Sequence, residues 1–355
     1  MRTNSIIAKT CYTLLLSFFV YISISLFPYT LSFAEKRPEW IDGASLFYPQ
    51  IEYLIGVGYG DTIDKAEKEA YASISKIFLV RVTQHTMERE RHIQDEKGGK
   101  IEIVRQVDID QITNISTDKI LEDVTISERW FDKASNIHYV LATLNRSHAS
   151  LFLKEKISLL DKKTAELIGI ADNSTEKLHR IRSLKRAVNA LLLRDIYNSD
   201  LIIINPEGKG VKEKISIIDI SNRLEEILSR ELNIVLEIEG DNDNRLNRYI
   251  MEAIGKRGLS VKDGKNTEEI DIKIKGRIYI KDAGIDDPPW KYLRWEASFS
   301  ITDIKRGKIF GSITKSGREG ALSKERAKNK VFKALQDKVA DEIGKRLTDF
   351  IFGTE

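Results

Sequence analysis

The sequence predicts an α+β protein: two mixed α/β modules with antiparallel sheets, joined by a helical hairpin. Three observations carry that expectation. Short runs in which apolar and polar residues alternate mark strands around 124–144 and 270–301. Apolar stripes at a spacing of three or four mark helices over 63–77 and 327–347. Between the two regions, residues 147–198 keep helical spacing throughout.

Each element follows from its residues. Tyr53 to Tyr59 is a short apolar strand punctuated by Gly56, Gly58 and Gly60. Asp61 or Thr62 can cap the helix whose inner face is Ile63, Ala66, Ala70, Ile74 and Ile77. Phe78 to Glu90 reads as a long strand, Gly98-Gly99 as a turn, and Ile101, Ile103 and Val107 as the return of a projecting hairpin. A second hairpin has Val124, Ile126 and Trp130 on one arm, a turn at Asp132 to Asn136, and Ile137 to Leu144 on the other. Two helices follow, separated at Asp172-Asn173-Ser174, where Asn173 and Glu176 form a capping pattern. Ser221 is expected to cap a helix running to Leu232, and Ile234 to Ile238 a strand. A helix through Leu246, Ile250 and Ile254 ends at Gly255 to Gly258, with a short strand at Leu259 to Val261. Ile270 to Ile280, then Leu293 to Ile301, then Ile309 to Thr314 alternate as antiparallel strands with one wet face. Ala327, Val331, Leu335, Val339, Ile343 and Leu347 form the stripe of a last helix.

The start of the chain bears on compartment. Arg2 and Lys9 precede an uncharged apolar run from Tyr12 to Leu31, and Ser32-Phe33-Ala34 closes it with small residues at the first and third positions. That is the order of a signal peptide cut between Ala34 and Glu35, giving a periplasmic product. The alternative is a retained anchor, since the run is long enough to cross a bilayer. Pro28 and the small-x-small pattern favour cleavage. Membrane association is expected only if the leader is kept. Cys11 follows Lys9-Thr10 at the start of the run, where a lipid-bearing cysteine would need small and apolar residues before it. The expected organisation is a signal peptide (1–34), an amino-terminal α+β domain (35–146), a helical connector (147–210) and a carboxyl-terminal α+β domain (211–355).

Composition narrows the chemistry. Lys and Arg number 57 against 54 Asp and Glu. Two of those cations lie in the leader, so the exported part is nearly neutral and no global field draws it to nucleic acid. Cys11 is the single cysteine. Its loss with the leader leaves no disulfide, thiol nucleophile or thiolate ligand.

No motif points to catalysis. Gly56-Val57-Gly58-Tyr59-Gly60 has the third glycine one position early for a dinucleotide loop, and Asp61 would oppose a phosphate. The glycines are expected to ease a tight strand-to-helix turn. Gly258 to Lys265 has a spacer one residue too long for a P-loop, with Asn266 where Ser or Thr would hold magnesium. His85, His92, His138, His148 and His179 form no spaced pair on one helix. No cofactor and no metal is therefore expected. Trp290 and Tyr292 follow the stiff loop Asp286-Asp287-Pro288-Pro289 and fall opposite Leu293 and Trp295 on a strand drawn from 290 to 301. They are the candidate interaction surface, unless a helix or loop covers them.

The amino terminus of the exported part resembles a known family. Arg37-Pro38-Glu39-Trp40, Tyr48-Pro49, Tyr53 to Gly60 and Ala66-Glu67-Lys68-Glu69-Ala70 stand in the order and spacing of the bacterial lipoprotein family named after the twenty-kilodalton Lpp antigen, over about 37–145. The carboxyl third, about 230–351, resembles the small mixed domain at the amino terminus of TolB and those of envelope lipoproteins and flagellar assembly protein T. These resemblances imply envelope assembly factors, with no catalytic residues to carry over. The expected function is thus a non-catalytic cell-envelope protein working through protein contacts, in an envelope or flagellar complex, with envelope proteins or further copies of itself as partners. The alternative is a periplasmic enzyme or ligand carrier whose site assembles only in three dimensions.

Overall fold

The computed structural model describes residues 36–78, 122–262 and 269–353. Two hydrophobic cores organise them, each beneath one sheet.

The amino-terminal sheet has three antiparallel strands in the order β1 (Tyr53–Gly60), β3 (Ile137–Asn145), β2 (Thr125–Asp132). Helix α1 (63–78) lies on it. Thr62 caps α1, its Oγ1 accepting from the Lys65 amide at 3.3 Å, while Asp61 pairs with Lys65. Ala66, Ala70, Ile74 and Phe78 are fully buried. Phe78 therefore belongs to the helix and does not open a strand. The rest of the expected projecting hairpin, with His85 and His92, lies outside the described residues.

The glycines of β1 do something other than ease a turn. None of them has positive φ. Gly56, Gly58 and Gly60 all face α1, and a Cβ on Gly58 would stand 2.1 Å from the Ala70 amide nitrogen and 2.2 Å from the Ala66 carbonyl oxygen. The alternation of glycine lets the backbone of α1 rest directly on the strand. That contact fills the space a phosphate would need.

Two long helices follow, α2 (Arg146–Asn173) and α3 (Lys177–Ile204). Asn145 caps α2 by accepting from the His148 amide. Asn173 is the last residue of α2 and donates to the Gly169 carbonyl, so it does not cap α3, which starts after Glu176 without a side-chain cap. Helix α3 serves both cores. Ile181, Leu184, Val188 and Leu191 belong to the carboxyl-terminal one, and Tyr197, Leu201 and Ile204 to the amino-terminal one. Between these sets sits Arg194, 2% exposed, bonded to Asp161 and to the carbonyls of Val211 and Lys212.

The carboxyl-terminal sheet has five strands in the order β5 (Val261–Lys262), β4 (Ile234–Glu239), β6 (Ile272–Asp282), β7 (Lys291–Asp303), β8 (Lys308–Ala321). It is mixed and not wholly antiparallel. Strand β4 runs parallel to β5 and β6, because helix α5 (Arg245–Gly255) carries the chain back before β5. Helix α4 (Ile217–Glu226) is capped by Ser216, whose Oγ accepts from Asp219, and a π-helical turn at Ile227–Glu231 extends it. Ser221 lies buried within α4. A cap needs extended backbone outside the helix, which Ser216 has.

The terminal stripe is continuous but not one regular helix. α6 (Lys324–Leu335) passes through a π-helical turn (Gln336–Ala340) into α7 (Asp341–Phe352). A strict spacing of four drifts by about 40° per step on an α-helix of 3.6 residues per turn. The wider π turn resets the phase. All six stripe residues, from Ala327 to Leu347, are consequently fully buried.

Candidate functional site

Helices cover one face of the carboxyl-terminal sheet, where Trp295, Phe299 and the isoleucines of β6 and β7 form its core. Among the described residues, nothing covers the other face of β6, β7 and β8. Along β7, Arg294, Glu296 and Ser298 alternate outward with buried Leu293, Trp295, Ala297 and Phe299. Two adjoining hollows, of about 850 Å³ and 340 Å³, lie on this face and share Tyr279 and Glu296.

Register sets the charges in rows across the strands. Glu237 pairs with Lys273 at 2.7 Å, and Glu239 pairs with Arg277 at 2.6 Å and Lys275 at 3.9 Å. Each of those cations has a carboxylate on β4. The row nearest the turn between β6 and β7 differs. Lys281 is opposite Arg294, and Arg294 is opposite Arg318. Like charges directly opposite one another destabilise a strand pair. None of the three has an ion pair among the described residues, and all three line the larger hollow with Tyr279, Thr314 and Ser316.

Tyr292 stands on the same face of β7, one rung beyond this row. Its Oη donates to Asp287 Oδ2 at 2.9 Å, and the Arg318 guanidinium lies 6.0 Å from its ring centroid. The hydrogen bond to Asp287 raises the phenol pKa above its ordinary value, with Arg318 opposing. Gly320 lies directly across, and a Cβ there would strike the Tyr292 ring at 2.5 Å. Trp290 precedes the strand. It closes the loop through a bridge with Asp287, its amide donating to the Asp287 carbonyl at 2.8 Å, and its side chain is 41% exposed. The strand thus begins at Lys291, and Tyr292 alone of the two aromatics lies on it, half-buried, opposite Leu293 and Trp295. Sequence reasoning missed Lys281, Arg294 and Arg318. Alternation marks each as outward, but only register makes them neighbours.

The described histidines are separate. His138 packs on Phe131 at 4.5 Å, His148 stands 3.7 Å from Asp123, and His179 stands 3.4 Å from the Ser174 hydroxyl. Among the described residues no group of three His, Cys, Asp or Glu is placed to hold a metal, and no helix is long and apolar enough to cross a membrane.

The amino-terminal sheet presents a different outer face. Tyr59, Tyr139 and Trp130 form a row across β1, β3 and β2, with ring centroids 6.3 and 5.6 Å apart. Beside it, the segment before β1 folds over, burying Trp40, whose Nε1 donates to Glu128 Oε2 at 2.7 Å. Arg37, Pro38, Trp40 and the glycine strand are thereby parts of one unit.

Residues 38–145 match the LPP20 lipoprotein family. The match ends at β3, so the carboxyl-terminal sheet is outside it, and the expected likeness to TolB and flagellar assembly protein T, drawn from element order and the terminal helix, is not shown. No curated protein matches the sequence. Among solved structures, a secreted protein of Helicobacter pylori is similar at 17% identity over 82% of this chain and 99% of its own, with a TM-score of 0.38. The rare lipoprotein B of Shewanella oneidensis is 15% identical over 34% of this chain and 98% of its own, with a TM-score of 0.26. The PelC dodecamer of Paraburkholderia phytofirmans is 12% identical over 33% of this chain and 85% of its own, with a TM-score of 0.23.

Proposed function

We propose that the chain is an exported protein of the bacterial cell envelope that acts by contact and not by turnover. The observation that carries this reading is the coincidence of an export leader at Arg2 to Ala34 with a lipoprotein-family domain immediately after it. The periplasm is the proposed compartment, and an envelope assembly the proposed setting, with envelope proteins or further copies of the chain as partners. The open face of β6, β7 and β8, with Tyr292 and Trp290 at its end, is the proposed working surface.

Two measurements test it. Mass spectrometry of the amino-terminal peptide from purified envelopes is expected to find Glu35 first; a chain keeping residues 1–34 replaces the cleaved form with an anchored one. Chemical cross-linking in intact cells is expected to give discrete adducts larger than the monomer. A chain that stays monomeric and uncross-linked contradicts action by contact.

A second reading is favoured by one specific observation. The 850 Å³ hollow falls within the size range of small-molecule sites and carries polar groups from three strands. A ligand carrier would use it.

A further inference from the structure

We propose that the row Lys281–Arg294–Arg318 and its hollow bind an acidic saccharide, a sugar unit bearing a carboxylate or phosphate. The inference rests on the ligand-carrier reading and is independent of protein contacts.

The charge comes first. On this face every cation near β4 has a carboxylate within 4 Å, whereas these three adjoining cations have none among the described residues. Neighbouring strands lie about 5 Å apart, so guanidinium groups on directly opposed residues are within reach of a single oxyanion. An arginine presents a planar fork of donors to such a group. The hydrogen bond from Tyr292 to Asp287 fixes the Tyr292 ring, and the contact of Arg318 with that ring places one of these forks beside it. Both arginines therefore face the same hollow before any ligand arrives.

The remaining lining selects the body of the ligand. Thr314 and Ser316 offer hydroxyls that donate and accept, suited to a polyol. Tyr279, 58% exposed, gives an aromatic surface for the apolar face of a sugar ring. Glu296 accepts from ligand hydroxyls and stands one row from the cations, which places the anionic end at Arg294 and Arg318. An acidic peptide fits this position less well. A peptide strand joins a sheet at an edge by backbone pairing. The free edge here is β8, and a strand added there would run beside the hollow, whereas the row crosses the face through Arg294 on β7, which is hydrogen-bonded on both sides.

The experiment is titration calorimetry of the chain as purified from cells. The probes are oligogalacturonate, a hexose phosphate, a neutral galactose oligomer and a poly-glutamate peptide. Binding of oligogalacturonate or the hexose phosphate, weakening with salt, is expected, and which of the two binds identifies the oxyanion. Arg294→Ser and Arg318→Ser are each expected to weaken it about tenfold to a hundredfold, with unchanged circular dichroism. Arg294→Lys is expected to keep the charge and lose part of the affinity. Equal binding of the neutral oligomer keeps a ligand carrier but overturns the acidic saccharide. Binding of poly-glutamate alone, or unchanged binding in both serine variants, also overturns it. Silence from every probe overturns the site and the carrier reading together.

Discussion

The two sheets of this molecule solve one packing problem in opposite ways. Each has one face under helices. In the amino-terminal sheet the β1 part of that face carries almost no side chains: Gly56, Gly58 and Gly60 meet Ala66 and Ala70, backbone against backbone, while Val140, Ala142 and Leu144 of β3 fill the rest. In the carboxyl-terminal sheet it is filled by large groups, Trp295 and Phe299 among them, with Gly276 and Gly317 making room for those two rings. The second faces differ as much. The amino-terminal one is partly roofed by the chain's own Trp40 segment and lined with aromatics. The carboxyl-terminal one is open, charged and hollowed. The comparison teaches that, among the described residues, the family-matched unit roofs part of its own outer face, while the unit outside that match leaves its second face uncovered.

The sharpest way to break the comparison is Gly58→Val. The added carbons meet the backbone of α1 and not a yielding side chain, so overpacking should cost more than about 3 kcal/mol. Thermal unfolding should show the amino-terminal core lost and the carboxyl-terminal core retained. A well-tolerated valine would mean that α1 does not rest on the strand.

Next in size is Arg194→Ala at the point where α3 passes from one core to the other. Asp161 and the carbonyls of Val211 and Lys212 would lose their partner in a buried setting, at about 3 kcal/mol. Because α3 serves both cores, a denaturant titration should show both transitions moving together. Movement of one alone would make the two regions independent.

Acid distinguishes them more gently. Lys315 and Arg346 lower the pKa of Glu342 below its ordinary value of 4.5. Its stabilising contribution is complete above that value and is lost as pH falls through the lowered one. Glu342→Gln should therefore narrow the stability gap between neutral and acidic solution, by an amount kept small by solvent screening. An unchanged acid profile would remove Glu342 from the account.

The smallest effect has the opposite sign. Arg294→Ser removes a like-charge pairing with Lys281 and Arg318, so it should raise stability by about 0.5 kcal/mol. A loss of stability would show that the row is compensated within the molecule.

The fold was legible wherever periodicity decided it. The 327–347 stripe, the α1 alanines and the alternation in β6 and β7 each specify an element, and the structure places them there. Details that depend on tertiary distance were not legible. Gly58 in the sequence looks like turn punctuation, because nothing local says that a helix backbone comes to rest on it. Ser221 looks like a cap, since Ser216 offers the same chemistry five residues earlier. The parallel placement of β4 depends on where the crossover returns. Of the candidate site, the exposed Trp290 and half-buried Tyr292 were visible as residue types after a stiff loop. The cation row was not, because Lys281, Arg294 and Arg318 become neighbours only through register.

The central claim is that the molecule works through the open face of its carboxyl-terminal sheet. Site-specific photo-cross-linking in living cells tests it most directly, with the probe placed in turn at Trp290, Tyr279 and Ser298 and, for contrast, at Tyr59 and Phe131 on the amino-terminal sheet. The account predicts adducts from the first three positions and few from the other two. Adducts from Tyr59 and Phe131 alone would contradict it.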